Sequence, residues 1–402
     1  MNKFLIYIVL FLICCSSELP LAPELTVDFN RLESATTPLD SIAKSNMNGI
    51  YSVLEGKEMF GDEVVGKWIE RRWCLYAKHD VVFSENAGGS SGDLILLTGY
   101  VRIVRSGSAS VLDLKIYPDE GSKDLLNTLT PSSLIVRGRA SNGKEIVLKR
   151  VRNLNSSQLF IVAHRGGGRN SERLGVSENS LAMLKLAQYL GATGVEIDVK
   201  RTRDGKLIVF HDDTFSPRTV QGSYLLGDVG NFDLSQIKQF GRLIYGESIP
   251  TLEEALNTVI DSTILSLVWL DIKDPSTVDE VIRTQLKVYE RAKKRNVLIL
   301  LGIPSQDILN AYNSSSLANT TPILIEFNFN DVLSHKTCQV WGPRWTNGIN
   351  SSSIVQVHDS GRLVFTWTLD YREYISDFLN STNFDGILSN YPSLVAGMYY
   401  SR

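Results

Sequence analysis

The stretch LFIVAHRGGGRN, residues 159–170, decides how this chain is read. An apolar run of strand type ends in a histidine, an arginine and three consecutive glycines. Packing gives a strand no reason to stop this way. Glycine lets the backbone turn sharply and approach a ligand closely, and arginine presents a fixed fork of donors matched to phosphate. From this point strand-type runs alternate with helical patterns. FIVAH, TGVEIDV, KLIVFH, SLVWLDIK, VLILLG, PILIEF, RLVFTWTL and DGILSN are interleaved with segments such as SLAMLKLAQYLG, TLEEALNTVI and TVDEVIRTQLKVYERAKKR. Repeated βα units predict a parallel sheet with right-handed crossovers. Residues 159–402 come close to the roughly 250 residues typical of a (β/α)8 TIM barrel. A ninth strand-like piece, TCQVWG, exceeds the eight places and is read as part of a long loop. An open doubly wound sheet is the competing α/β fold, but no dinucleotide-type glycine fingerprint opens the segment.

Upstream the pattern differs. Residues 46–152 hold short strand-type runs (WIERRWCLYA, DLILLTGYVRIV, SVLDLKIY, EIVLKRV) separated by GGSSG, RSGSAS and SNGK, which predicts a small all-β barrel or sandwich. This unit has no concentration of titratable residues, and its His79 is read as a surface residue. Residues 16–45 are rich in Ser, Thr and Pro without clean periodicity and read as a tether. Residues 1–15, MNKFLIYIVLFLICC, join one lysine to an unbroken apolar run ending in Cys14 and Cys15, the shape of an export signal. The paired cysteines resemble a bacterial lipoprotein processing site. The expectation is an exported protein, periplasmic or extracellular, touching the membrane only through a lipid on Cys15 or Cys14.

Composition is that of an ordinary globular protein, 43% hydrophobic and 21% charged. A net charge of −3 provides no polybasic surface and argues against nucleic acid as a partner. Cys74 and Cys338, the cysteines beyond the signal, form neither a disulfide framework nor a metal cluster and are expected as buried single thiols.

In a βα barrel the polar residues at the C-terminal strand ends converge on one face. The first strand ends in His164 and Arg165. In VEIDV, Glu196 and Asp198 lie two apart and share a face. KLIVFH, taken as the third strand, ends in His211 and Asp212. WLDIKD carries Asp271 and Lys273, again two apart. Trp367 closes a later strand, where an aromatic can form an apolar wall. Burying such charges without compensation would cost several kcal/mol each, so a purely structural role for the whole set is disfavoured. Glu196, Asp198 and Asp271 are an all-oxygen set suited to a hard divalent cation, Mg²⁺ or Ca²⁺. With Arg165 and Lys273 nearby, they describe an anion site suited to a phosphodiester. Two histidines can then act as general base and general acid at phosphorus.

HRGG, SENS, VEIDV, DGKLIVFHDD, SPRT, IPTLEEAL, LDIK, WTLD and DGILSNYP resemble, in order, the motifs of the glycerophosphodiester phosphodiesterases across residues 159–402. The resemblance implies metal-dependent hydrolysis of glycerophosphodiesters to sn-glycerol 3-phosphate and an alcohol. By motif it makes His164 and His211 the catalytic pair, without saying which is the base. Glu196, Asp198 and Asp271 become metal ligands, while Arg165 and Lys273 contact phosphate. It raises Glu178 to a substrate-site residue and leaves Trp367 on the substrate side. It also implies attack by the neighbouring glycerol hydroxyl, through a cyclic phosphate that water opens. Three features depart from the family pattern. The loop from Gly166 to Ser177 is long, Asp271 stands where a glutamate is usual, and the fifth strand ends LLGIP. Asn179 is read as a helix N-cap, Arg218 as structural support, and His335 and His358 as surface residues. The competing functions are a phospholipase D-like lipase acting on lysolipids or sphingolipids, and a non-catalytic phosphodiester-binding module.

Overall fold

The computed structural model describes residues 21–402 except 223, 350, 382 and 383. The expected export signal, with Cys14 and Cys15, lies outside the described residues. Part of the expected tether is folded, forming helices α1 (Phe29–Ala35) and α2 (Ser41–Met47). Each opens on an aspartate cap: Asp28 accepts from Arg31 N at 3.1 Å and Asp40 from Ala43 N at 2.7 Å. Helices this short are unstable alone. Tertiary contacts hold α2, since Ala43 and Met47 are buried and the Met47 carbonyl accepts the Tyr51 hydroxyl at 2.6 Å, and α1 docks through the Phe29 ring beside Tyr100 and the Glu33–Arg72 ion pair.

Eight strands follow: β1 (Gly49–Glu55), β2 (Glu63–Ile69), β3 (Arg72–Ala77), β4 (Val82–Ser91), β5 (Leu94–Ile103), β6 (Ala109–Ile116), β7 (Ile135–Ala140) and β8 (Glu145–Arg152). Each pairs antiparallel with the next and β8 returns to β1, so the sheet closes as an up-and-down barrel. Closure removes exposed edges. The lumen is filled by side chains, among them Tyr51, Trp73, Leu75, Leu97, Leu114, Val136 and Leu148, all buried. Met47 of α2 and Leu125 of α3 (Ser122–Leu126) pack onto the same core.

The second unit is a parallel (β/α)8 barrel. Its strands are β9 (Phe160–Ala163), β10 (Gly194–Arg201), β12 (Leu267–Ile272), β13 (Leu298–Ile303), β14 (Ile323–Ile325), β15 (Cys338–Trp341), β16 (Leu363–Thr366) and β17 (Gly386–Ser389). The ring closes through parallel pairing of β9 with both β10 and β17. The interior holds Val162, Leu267, Trp269, Leu300, Leu324, Val340, Phe365 and Leu388. Helices such as Leu252–Ser262 and Val278–Lys294 cover the outside.

Two strand assignments from the sequence are corrected. KLIVFH is not a barrel strand. Its core, β11 (Leu207–Val209), folds back antiparallel on β10, with Val199 opposite Val209. The linker TRDGK is far too short for the crossover a parallel pair needs, and its Asp-Gly is a hairpin signal. TCQVWG, expected in a loop, supplies β15, which pairs parallel with β14 and β16. The count of eight holds with one member exchanged.

The barrels share one core. Ile50, Val65, Cys74, Tyr76 and Phe83, on the outside of the small barrel, pack with residues of helices α4 (Leu181–Ala187) and α5 (Pro392–Tyr400). The Tyr76 hydroxyl donates to the Tyr189 carbonyl at 3.0 Å, and Lys67 Nζ donates to the Tyr400 hydroxyl at 2.7 Å. Gly397 lets α5 lie directly against the Ala77 backbone, where any β-carbon would collide. Cys74 and Cys338 are both free and buried. No helix among the described residues is long and apolar enough to cross a membrane. A shared core predicts one cooperative transition for the two barrels in calorimetry. Tyr76→Ala should lower stability by about 3–5 kcal/mol, as other large aromatic truncations do.

Candidate active site

Side chains two residues apart on a strand share a face. The apolar interior of the large barrel therefore points to what crowns it. Two positions past Val162 stands His164, past Trp269 stands Asp271, and past Leu324 stands Glu326. Past Phe365 stands Trp367, and past Leu388 stands Asn390. A cavity of about 520 Å³ lies at the opposite end of the barrel, lined by Phe160, Ser266, Leu363, Lys67 and Tyr400. It contains none of the candidate residues.

The acids lie at the centre. Glu196 and Asp198 on β10 and Asp271 on β12 bring one carboxylate oxygen each within 4.8 Å of one another. Burial, then repulsion from Asp198 and Asp271, holds Glu196 well above the ordinary carboxylate range. Burial also raises Asp271, with Asp198 adding to it against the pull of Lys273. Burial pushes Asp198 upward too, but Lys273, His211 and His164 outweigh it and keep its acidity high. Lys273 Nζ lies 3.1 Å from both Asp198 Oδ1 and Asp271 Oδ2. Burial disfavours its charge, and the three carboxylates more than reverse that. One oxygen, Glu196 Oε1, is buried without a hydrogen-bond partner. Clustered hard oxygen donors with an unsatisfied lone pair fit a divalent cation.

The histidines flank this cluster. His164 Nδ1 faces Asn390 Oδ1 at 2.7 Å, leaving Nε2 3.8 Å from Glu196 Oε2. Asn390 is itself anchored, its backbone N–H and Nδ2 donating to Asp370 at 2.8 and 2.6 Å. Burial and the Arg165 charge lower the His164 pKa to about 4. His211, just beyond β11, sets Nδ1 2.7 Å from Asp212 Oδ1 and accepts at Nε2 from Arg165 Nη2 at 2.8 Å. Its ring lies 3.9 Å from Asp198. The hairpin on β10 therefore delivers His211 to the site without a place in the barrel ring.

Arg165 adopts φ 51°, in the left-handed region. Its backbone N–H donates to Glu196 Oε2 at 2.8 Å and its guanidinium to Glu178 Oε1 at 3.0 Å. Glu178 is buried, and its carboxylate is shared among Arg165, Arg218 and the Asn170 N–H. Its oxygens are committed to protein partners rather than to the mouth. Arg218 also pairs with Asp212 at 2.6 Å, which joins the supports of both arginine and histidine. Asn179 is not the N-cap. That place belongs to Ser180, while Asn179 Nδ2 donates to Asp198 Oδ2 at 2.9 Å. Trp367 is half-buried, with Nε1 donating to Gly342 O at 2.7 Å and the Arg344 guanidinium 4.7 Å from its ring centre. His79 is exposed, His358 pairs with Asp385 at 2.8 Å, and His335 bonds to the Asp331 carbonyl and to Asn313; none of these adjoins the site.

The sequence reading missed Asn390, Asp370 and Glu326. The first two stand in DGILSNYP and WTLD, yet an amide and one more acid carry no signal of their own. Glu326 was hidden in the apolar run PILIEF. Burial and the Asp271 charge raise its pKa well above the usual range, and it feels Lys273 and Arg344.

Comparison with known proteins matches residues 164–394 to the glycerophosphoryl diester phosphodiesterase family. A glycerophosphodiester phosphodiesterase from Caldanaerobacter subterraneus is 28% identical over 256 residues, 60% of this chain and 97% of that protein. A probable glycerophosphodiester phosphodiesterase 2 from Mycobacterium tuberculosis is 27% identical over 259 residues, covering 60% of this chain and 90% of that one. Among solved structures, an Oleispira antarctica phosphodiesterase in complex with the product sn-glycerol-3-phosphate is similar at 23% identity and a TM-score of 0.48. That likeness covers 60% of this chain and 95% of that one.

Removing one member of a buried ion pair strands the other charge, at about 3–5 kcal/mol. Glu178→Ala should therefore lower the stability of the fold by that order in chemical denaturation. Glu178→Gln, which keeps an acceptor for Asn170 N–H, should cost less.

Proposed function

The chain belongs to the glycerophosphoryl diester phosphodiesterase family. On that footing we propose that it hydrolyses glycerophosphodiesters to sn-glycerol 3-phosphate and an alcohol, with Glu196, Asp198 and Asp271 holding a divalent cation, Mg²⁺ or Ca²⁺. The observation that carries the reading is the meeting of three carboxylate oxygens within 4.8 Å, flanked by two imidazoles and two cationic side chains. When bound, the cation supplies charge neutralisation on the phosphoryl oxygens.

The protein's own residues do the rest. Lys273 and Arg165 hold the phosphate. Substrate draws Arg165 Nη2 away from His211 Nε2, leaving that nitrogen free to carry a proton. Asn390, fixed by Asp370, keeps the His164 proton on Nδ1 and leaves Nε2 as a base. His164 takes the proton of the glycerol hydroxyl next to the ester, whose oxygen attacks phosphorus; that nucleophile arrives already oriented. His211, backed by the Asp212 carboxylate, gives its proton to the departing alcohol. Water then opens the cyclic phosphate with the proton roles reversed. Glu178 acts by fixing Arg165, and Trp367 forms a wall of the mouth. The apolar run and paired cysteines of residues 1–15 support export to the periplasm or cell exterior with lipid attachment.

With Mg²⁺ or Ca²⁺, the purified protein should release sn-glycerol 3-phosphate from glycerophosphocholine, and chelation should stop release until metal is restored. Absence of product under both metals overturns the reading. His164→Ala should lose at least about 100-fold in kcat, the usual scale for a general base. A nitrophenyl ester, whose leaving group needs no proton, should restore turnover to His211→Ala but not to His164→Ala. The reverse pattern would exchange the two roles.

A further inference from the structure

The small barrel reaches the catalytic face at the turn between β5 and β6. Within it Arg105 adopts φ 70°, and its backbone N–H donates to Glu172 O at 3.3 Å, inside the long Gly166–Ser177 loop. Its guanidinium donates from Nε to the Tyr391 hydroxyl at 2.8 Å and lies 4.5 Å from that ring's centre. Tyr391 directly follows Asn390, the partner of His164 Nδ1. From the loop side, Arg173 Nη1 donates to the Ser106 carbonyl at 3.2 Å.

Arg102, at the end of β5, is buried with its charge. Its guanidinium donates to the Gly107 carbonyl at 3.2 Å and, at longer range, to the carbonyls of Arg173 at 3.5 Å and Pro23 at 3.4 Å. One buried cation thus staples three segments: the N-terminal segment, the turn and the catalytic loop. Further along that loop Asn170 exchanges hydrogen bonds with Glu178, whose carboxylate holds Arg165. The turn therefore addresses His164 through Tyr391 and Asn390, and Arg165 through Asn170 and Glu178. Non-glycine residues at positive φ recur along this path, at Arg105, Arg165, Arg173 and Asn179. Such backbone persists only where its surroundings over-determine it.

We propose that the Val104–Ser108 turn of the small barrel is a positioning element for His164 and Arg165, with Arg105 and Arg102 as its positioning residues. The β domain acts in the reaction by holding the long catalytic loop in register. Neither arginine touches substrate. The effect rests on the proposed hydrolysis for its kinetic readout, and on loop order for a readout independent of it.

The experiment pairs Arg105→Ala with Tyr391→Phe. Arg105 is exposed, so its loss need not unfold the protein. Arg105→Ala should lower kcat on glycerophosphocholine on the order of ten-fold, within the range expected from small displacements of catalytic groups. KM should change less than kcat. The double variant should lose little more than either single variant, because both break one link, and Arg105→Lys should recover part of the loss. Arg139→Ala, at an exposed ion pair elsewhere on the small barrel, should leave kcat unchanged. Independently of activity, amide exchange in residues 166–177 should speed up in Arg105→Ala and not in Arg139→Ala. Unchanged exchange together with full kcat, strictly additive losses, or an equal loss in Arg139→Ala would each overturn the proposal. A wild-type protein inactive on glycerophosphodiesters would remove the hydrolysis reading while the exchange result still decides the brace.

Discussion

Three carboxylates held within 4.8 Å of one another at the rim of a barrel repel each other, and much of the surrounding structure answers that repulsion. Lys273 lies between Asp198 and Asp271, the Arg165 N–H meets Glu196, and Asn179 takes the remaining side of Asp198. What is left over, a buried and unpartnered Glu196 oxygen, is where a divalent cation fits. In a low-dielectric mouth charges that are costly when unpaired interact strongly with an ion of opposite sign. The fold bears a local electrostatic cost here and leaves it partly unsatisfied.

Bearing that cost requires rigid supports, and both histidines and Arg165 have one. Asp370 fixes Asn390, which fixes His164; Arg218 joins Asp212 behind His211 to Glu178 behind Arg165. Support also arrives from outside the large barrel. Helices α4 and α5 share a core with the outer face of the small one, so the β5–β6 turn is held at a defined distance from the catalytic loop. The Gly166–Ser177 loop is thus contacted by the small barrel, through Arg105, Arg102 and Ser106.

Much of the site was legible from strand periodicity. Glu196 with Asp198, and Asp271 with Lys273, stand two apart in apolar runs, and two is the period of a strand, so their shared face followed from spacing alone. His164 and Arg165 were marked by the glycines after them. His211 was found for a partly mistaken reason, since KLIVFH proved to be a hairpin arm. The five residues between Arg201 and Leu207 already excluded a parallel crossover. The capping aspartates before α1 and α2 were equally visible, but helices of seven residues leave too little periodicity to separate them from a tether. Glu326, Asn390 and Asp370 could not be singled out, because one polar residue at a strand end looks the same whether it faces a site or solvent.

The sequence by itself determined the fold class and the shared faces of Glu196 with Asp198 and of Asp271 with Lys273, since these rest on local period and residue chemistry, which the chain carries from one residue to the next. Only the tertiary structure decided which runs close the ring, that Glu178 braces an arginine, that Asn390 holds His164, and that the small barrel leans on the catalytic loop. Those facts depend on contacts whose separation along the chain runs from 13 residues, for Glu178 and Arg165, to 226, for His164 and Asn390. Such contacts are set by how strands and loops close within the large barrel and how the small barrel packs on it, and no local pattern encodes them.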